Sequence, residues 1–139
     1  MHIEIVPKAR LEGEWPTLAD ALLPVVREDP NGSIEGLRQK LLAGSAVLFH
    51  ADGEANGYLV VEVSQEDGRL VGWVSYAIGG FTGGPKARLA MIRHGLAEIE
   101  NAMRNAGCAE NRICGRDWSR VLPDYEPFTE RRNGLRKVL

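Results

Sequence analysis

The run Leu70-Val71-Gly72-Trp73-Val74-Ser75-Tyr76-Ala77-Ile78 passes into Gly79-Gly80-Phe81-Thr82-Gly83-Gly84-Pro85, and a helical pattern follows from Lys86 to Asn105. Branched and aromatic residues make the first part a strand, and the glycines make the second a loop. In the third part Leu89, Ile92, Leu96, Ile99 and Met103, spaced by three and four, form one apolar stripe for packing on a sheet. Pro85 suits the first helical turn, and Gly107 a left-handed stop. Strand, glycine-rich turn and helix start together are the parts of an anion site, because free amides at the helix start point into the turn.

Downstream of this unit, Asn111-Arg112-Ile113-Cys114-Gly115 reads as a strand returning over the helix, which makes it parallel to the strand ending at Ile78. Upstream, Ser45–His50 and Gly57–Val63 are strands. The short turns Ala51–Glu54 and Gln65–Gly68 join them and the next strand into an antiparallel meander. A first strand over His2–Val6 is stopped by Pro7. A helix follows with Thr17 as N-cap, through Leu18, Ala21, Leu22, Val25 and Val26, with Pro24 as a kink or break. After the turn Asp29–Gly32, Ser33 caps a second helix with Ile34, Leu37, Leu41 and Leu42 on one face and Gly44 as its stop. Near the end, Asp117 caps a short helix through Trp118, Val121 and Leu122 that Pro123 terminates, and Arg132-Asn133-Gly134 signals a type I′ turn between two short strands. The expectation is an α/β (α+β) fold: a mixed central sheet, an antiparallel meander plus one parallel β-α-β crossover, flanked by helices.

The 139 residues, 44% hydrophobic and 26% charged, fit a single domain over 1–139. No apolar run approaches the roughly 20 residues that span a bilayer. Met1-His2-Ile3-Glu4 lacks the basic-then-apolar form of a signal peptide, so a cytoplasmic location is expected. Cys108 and Cys114 read as packed, reduced thiols without metal-ligand spacing, and His94, off the stripe, as a surface residue. Charge is unevenly spread: residues 1–85 hold 6 basic and 12 acidic side chains (−6), residues 86–139 hold 11 and 7 (+4). A positive half beside a glycine-rich turn suits a phosphorylated ligand better than a nucleic acid, for which a denser basic stripe with aromatics is expected. An ordinary solvated helix face is the other reading of those charges.

The order of elements resembles the GNAT-type acyl-CoA N-acyltransferases over nearly the whole chain. Gly79 to Pro85 falls where that family holds the coenzyme A pyrophosphate, and Ala106-Gly107-Cys108 ends the long helix. Gly115-Arg116-Asp117-Trp118-Ser119-Arg120-Val121-Leu122-Pro123-Asp124-Tyr125 is similar to a segment of small phage- and prophage-associated relatives, as is the basic-apolar tail Leu135-Arg136-Lys137-Val138-Leu139. The resemblance implies acetyl-CoA as acyl-donating cosubstrate and an amine of a small molecule or protein as acceptor. It implies coenzyme contacts from Tyr76, Ile78, Gly79, Gly80, Gly83, Gly84, Lys86 and Arg88. The family's Gln/Arg-x-x-Gly-x-Gly/Ala loop is replaced here by Phe81-Thr82-Gly83-Gly84-Pro85-Lys86. Pro85 has no amide to donate, while the glycines admit close backbone approach and Lys86 or Arg88 supplies charge.

Aminolysis of a thioester needs a group to take a proton from the amine and a donor for the departing thiolate. The resemblance implies Tyr125 as the donor, although the usual Tyr-x-x-Gly-Phe is replaced by Tyr125-Glu126-Pro127-Phe128; a half-buried aromatic with a solvated hydroxyl is the alternative. Glu62, on a strand beside the expected divergence, is the candidate base, or else a surface carboxylate. Arg116, Asp117 and Trp118 read as a local cap and packing cluster in preference to a substrate role. The rival function is a non-catalytic use of the same fold, a phage-derived structural or interaction protein that would join a second copy or a phage structural partner.

Overall fold

The computed structural model describes residues 2–139; Met1 and the side chain of Phe81 lie outside that description. Its seven strands are β1 (His2–Ile5), β2 (Ala46–Asp52), β3 (Ala55–Glu66), β4 (Arg69–Phe81), β5 (Cys108–Ile113), β6 (Glu126–Pro127) and β7 (Leu135–Val138). They form one sheet in the order β1-β2-β3-β4-β5-β7-β6. Among the described residues only β4 and β5 run parallel, because the long helix α4 (Pro85–Asn105) carries the chain back between them. On one face lie α1 (Lys8–Gly13), α2 (Trp15–Val26) and α3 (Ile34–Ala43), and on the other lie α4 and the 117–125 segment.

Period-two alternation divides the core. Leu48 and Val60 join Leu18, Leu22 and Leu41 beneath the N-terminal helices, whereas Phe49 and Val61 join Ile99 and Met103 beneath α4. Each fully buried side chain of this size contributes about 1.5–3 kcal/mol. The Ser33 hydroxyl accepts the Gly36 amide at 2.9 Å, and Gly44 closes α3 at φ 83°, as the sequence predicts. Gly107, at φ 88°, follows the end of α4.

Several boundaries differ from the sequence expectation. An additional helix, α1, buries Leu11, and α2 begins at Trp15 with Pro16 in its first turn, so Thr17 lies inside the helix rather than capping it. Pro24 does not break α2; it sits exposed near the end, where only one helical hydrogen bond is lost. The β3–β4 turn contains only Asp67 and Gly68, at φ 52° and 78°, so both strands are longer than expected. β4 runs on through Phe81, pairing Gly79 with Gly57 and Gly80 with Asn56, which shrinks the loop to residues 82–84. β5 starts directly after Gly107.

The expected helix after Asp117 is a single turn. The Trp118 carbonyl accepts from Val121 and Leu122 at 3.0 and 2.9 Å, while Asp117 spends its side chain on the Ser119 amide and hydroxyl. With Pro123 so close there is no room for more. The expected type I′ turn is likewise absent: Asn133 is left-handed at φ 54° but Gly134 is not, and the Gly134 carbonyl instead accepts from Phe128 at 2.8 Å across a wider loop.

A buried ionic cluster ties β3, β4 and β5 together at one end. Arg112 packs between Trp73 and Phe128, its guanidinium carbon 5.2 and 4.2 Å from their ring centres. It donates to Glu66 at 2.8 and 3.2 Å and to Glu110 at 3.1 and 3.2 Å, and Arg69 reaches Glu110 at 3.1 Å. Glu110 is 2% exposed, so its charge depends on these partners rather than on water.

Candidate active site

β4 and β5 pair from Leu70–Cys108 to Val74–Ile113 and no further. Beyond that point β4 continues against β3, while the chain leaves β5 at Cys114. The strands therefore part, and a cleft of about 680 Å³ opens between them. Met91, Ile92, Leu96 and Ile99 of α4 wall it on one side of the sheet, Val25, Glu28 and Asp29 on the other, and Cys114, Gly115, Arg116 and Trp118 edge it beyond β5. It thus passes from one face of the sheet to the other.

A β-bulge shapes the fork. Val60 faces Tyr76 and Val61 faces Val74, leaving Ser75 as the extra residue of β4, immediately beyond the last pair with β5. The bulge turns Ser75 and Tyr76 to the same face, toward the N-terminal helices, where each finds a carboxylate. The Ser75 hydroxyl donates to Glu62 Oε2 at 2.5 Å, and Lys40 of α3 donates to Glu62 Oε1 at 2.5 Å. The Tyr76 hydroxyl donates to Asp29 Oδ2 at 2.5 Å, while Asp29 Oδ1 accepts the Asn31 amide at 3.0 Å. Gly32 makes room for this: a Cβ there would stand 2.8 Å from the Tyr76 hydroxyl.

These bonds fix charge. The Tyr76 hydroxyl, and then the Asn31 amide, hold Asp29 below the usual carboxylate range, so it is an anion at neutral pH. Burial first, and then Asp29, push Tyr76 above the usual phenol range. Arg112 lowers Glu66, and Arg10 lowers Glu4. A carboxylate lowered on folding contributes stability above its unfolded pKa of about 4 and loses it as pH falls through the folded value. A phenol raised on folding contributes below about pH 10 and loses it as pH rises. The melting temperature is therefore expected to be flat between about pH 5 and 9.5 and to fall outside that window; a maximum displaced to acid pH would contradict these assignments.

Of the residues expected at the coenzyme site, Tyr76, Ile78, Gly79 and Gly80 line the cleft. Gly83, Gly84, Lys86 and Arg88 do not; they are exposed around the start of α4. Lys86 lies about 7.5 Å back along the helix axis from Met91 at 1.5 Å per residue. The first bond of α4 runs from the Arg88 amide to the Gly84 carbonyl at 3.0 Å, so the amides of Lys86 and Ala87 precede it and have no partner within the helix. Thr82 ties the loop to the β2–β3 turn, its amide and hydroxyl both donating to the Glu54 carbonyl, at 2.8 and 3.0 Å.

The two expected catalytic residues lie outside the cleft lining. Glu62 stands behind Ser75, and Tyr125 is 8% exposed in the core beneath α4, its hydroxyl accepting from Asn111 at 3.1 Å. Burial pushes its phenol well above the usual range. Ser75, Glu28 and Asp29 are cleft residues that the sequence reading did not assign to the site. Asp29 carries only turn chemistry in the sequence, Glu28 belongs to no motif, and a bulge at Ser75 leaves no local signature.

Cys108 is buried and Cys114 half-buried, and both are free thiols. Among the described residues no group of three or more His, Cys, Asp or Glu is placed to hold a metal ion, and no helix is long and apolar enough to cross a membrane.

No protein-family model matches the chain, and no curated protein matches its sequence. Solved structures do match in shape. A probable acetyltransferase superposes with a TM-score of 0.63 at 13% identity, covering 94% of this chain and 93% of its own. Aminoglycoside 6'-acetyltransferase type Ii gives 0.62 at 11% identity, covering 99% and 97%, and aminoglycoside 6'-N-acetyltransferase from Enterococcus faecium gives 0.61 at 10%, again covering 99% and 97%. Identities this low speak for architecture alone, and in architecture this chain, with its mixed seven-stranded sheet and single parallel pair, has the GNAT acetyltransferase fold.

Proposed function

We propose that the chain transfers an acyl group, acetyl in the simplest case, from coenzyme A to an amine, in the cytoplasm. The observation that carries this reading is the cleft between β4 and β5. It opens through the sheet at the point where pairing stops, so a thin, extended thioester arm can enter from the α4 side and meet an acceptor on the other. In this reading the edge of β4 from Ser75 to Gly80 offers backbone groups that β5 does not use. Gly83, Gly84 and the Lys86 and Ala87 amides receive the pyrophosphate, with Lys86 and Arg88 adding charge. Glu28 and Asp29 make the acceptor side negative, which favours an amine arriving as its cation. Tyr125 is assigned to holding β5 through Asn111 rather than to proton transfer.

Acetyl-CoA at a hundredfold excess over Kd is expected to stabilise the protein by ~2.7 kcal/mol, a rise in melting temperature of about 10 °C. Gly83 sits at φ 100°, so Gly83→Asp adds strain as well as a repelling charge and is expected to remove the shift. Ala77 is exposed and lines the cleft, so Ala77→Trp is expected to block it without disturbing the core. No shift with the unaltered protein at millimolar acetyl-CoA sinks the proposal. Binding without thiol release, across an amine panel of 1,4-diaminobutane, a dipeptide and an aminoglycoside, favours the non-catalytic, phage-derived module instead.

A further inference from the structure

Glu62, the carboxylate bonded to the residue at the fork, is not itself a wall of the cleft. Both of its oxygens are engaged, Oε1 by the Lys40 ammonium and Oε2 by the Ser75 hydroxyl, each at 2.5 Å. Ser75 does line the cleft, at the bulge, one residue past the last parallel pair. The hydrogen of its hydroxyl is committed to Glu62, which leaves the oxygen lone pairs to accept a hydrogen.

We propose that Ser75 is the group that touches the reacting amine and that Ser75, Glu62 and Lys40 form a proton relay out of the cleft. This rests on the acyltransferase reading. The amine nitrogen bonds to the thioester carbonyl carbon and the carbon–sulfur bond breaks. The nitrogen gives a proton to Ser75 Oγ as the hydrogen already on Oγ passes to Glu62 Oε2. An amine that arrives as its cation first releases one proton to solvent; from the neutral amine the thiolate then takes a proton from solvent and Glu62 returns its own, so that step moves one proton from nitrogen to sulfur. Lys40 is a positioning residue: by holding Oε1 it keeps Oε2 turned to the serine. Tyr76 and Asp29, already bonded to each other, stand beside the relay as wall and charge.

The test separates the relay from the reading beneath it. Acetyl-CoA binding is measured by calorimetry and thiol release with the same amine panel, for the unaltered protein, Ser75→Ala, Ser75→Thr, Glu62→Gln and the Ser75→Ala/Glu62→Gln double variant. Ser75→Ala is expected to bind acetyl-CoA normally and to lose about 100-fold in kcat, the usual worth of a positioned proton acceptor. Ser75→Thr, which keeps the hydroxyl, is expected to restore most of the rate. The double variant should lose no more than the worse single one, as groups acting in one chain do. Lys40→Met should lower kcat less than Glu62→Gln.

If the unaltered protein turns over and Ser75→Ala keeps its kcat, the relay is overturned and the acyltransferase reading stands. Additive losses in the double variant also overturn it. If the unaltered protein binds no acetyl-CoA or releases no thiol, the reading itself fails and the relay with it. Should Ser75→Ala not fold, Ser75→Thr and Glu62→Gln still decide, since an active Glu62→Gln protein excludes the relay.

Discussion

Replacing Arg112 by methionine lowers the free energy of unfolding by about 3–5 kcal/mol, because it strands a buried charge rather than removing a contact. Glu110 is 2% exposed and would keep only Arg69, itself half in solvent, as a cationic partner. The packing of the guanidinium between Trp73 and Phe128 would be only partly replaced by the methionine chain. Urea denaturation measures the loss, and Glu110→Gln in the same background should recover part of it, since the uncompensated charge is then gone. A cost under about 1 kcal/mol would mean that Glu110 finds water, contrary to its burial.

That cluster also shows what a linear reading of the chain can reach. The strand, loop and helix of residues 70–105, the meander and the parallel return were legible because each follows from local periodicity and turn chemistry. Arg112 and Glu110 were not, since nothing in Glu110-Asn111-Arg112 says that Glu66 and Trp73 will face them across two strands. The candidate site divides in the same way. Tyr76, Ile78, Gly79 and Gly80, which the resemblance names as coenzyme contacts, line the cleft because β4 carries all four beyond its last pair with β5. Ser75 has no signature in the linear sequence because a bulge is a property of the pair of strands, set by how Val60 and Val61 register against it. Tyr125 was drawn toward catalysis by its place in the chain, yet the turn that replaces a helix after Asp117 leaves it in the core against Asn111. The loop is shorter than its glycines suggest for a related reason: Gly79 and Gly80 look like punctuation, but β3 supplies glycine and asparagine opposite them and the ladder simply continues.

The second large effect is expected from Gly57→Ala. A methyl group there would land on the Ile78 carbonyl oxygen and the Gly79 Cα across the ladder, and one on Gly79 would land on the Asn56 carbonyl. Backbone cannot swing aside as a side chain can, so β3 and β4 must separate where they form the cleft wall. Overpacking of a core costs about 1–3 kcal/mol, and this site belongs at the upper end of that range. The variant should also lose the acetyl-CoA shift more completely than its lowered melting temperature explains. Thermal melts with and without acetyl-CoA measure both. Retention of full stability would show that the two strands have slack at Gly57–Gly79.

The fork between β4 and β5 has a cost in solubility that the rest of the molecule must contain. From Ser75 to Phe81 one flank of β4 has no strand against it, and a bare strand edge is a template on which another chain can assemble. Here the edge is sunk in a slot between helices, its far end carries two glycines of weak β propensity, and the bulge bends its near end out of line. The opening that would admit a ligand is thus shaped to refuse a foreign strand along the flank from Ser75 to Phe81, and widening it by mutation would expose the protein to aggregation.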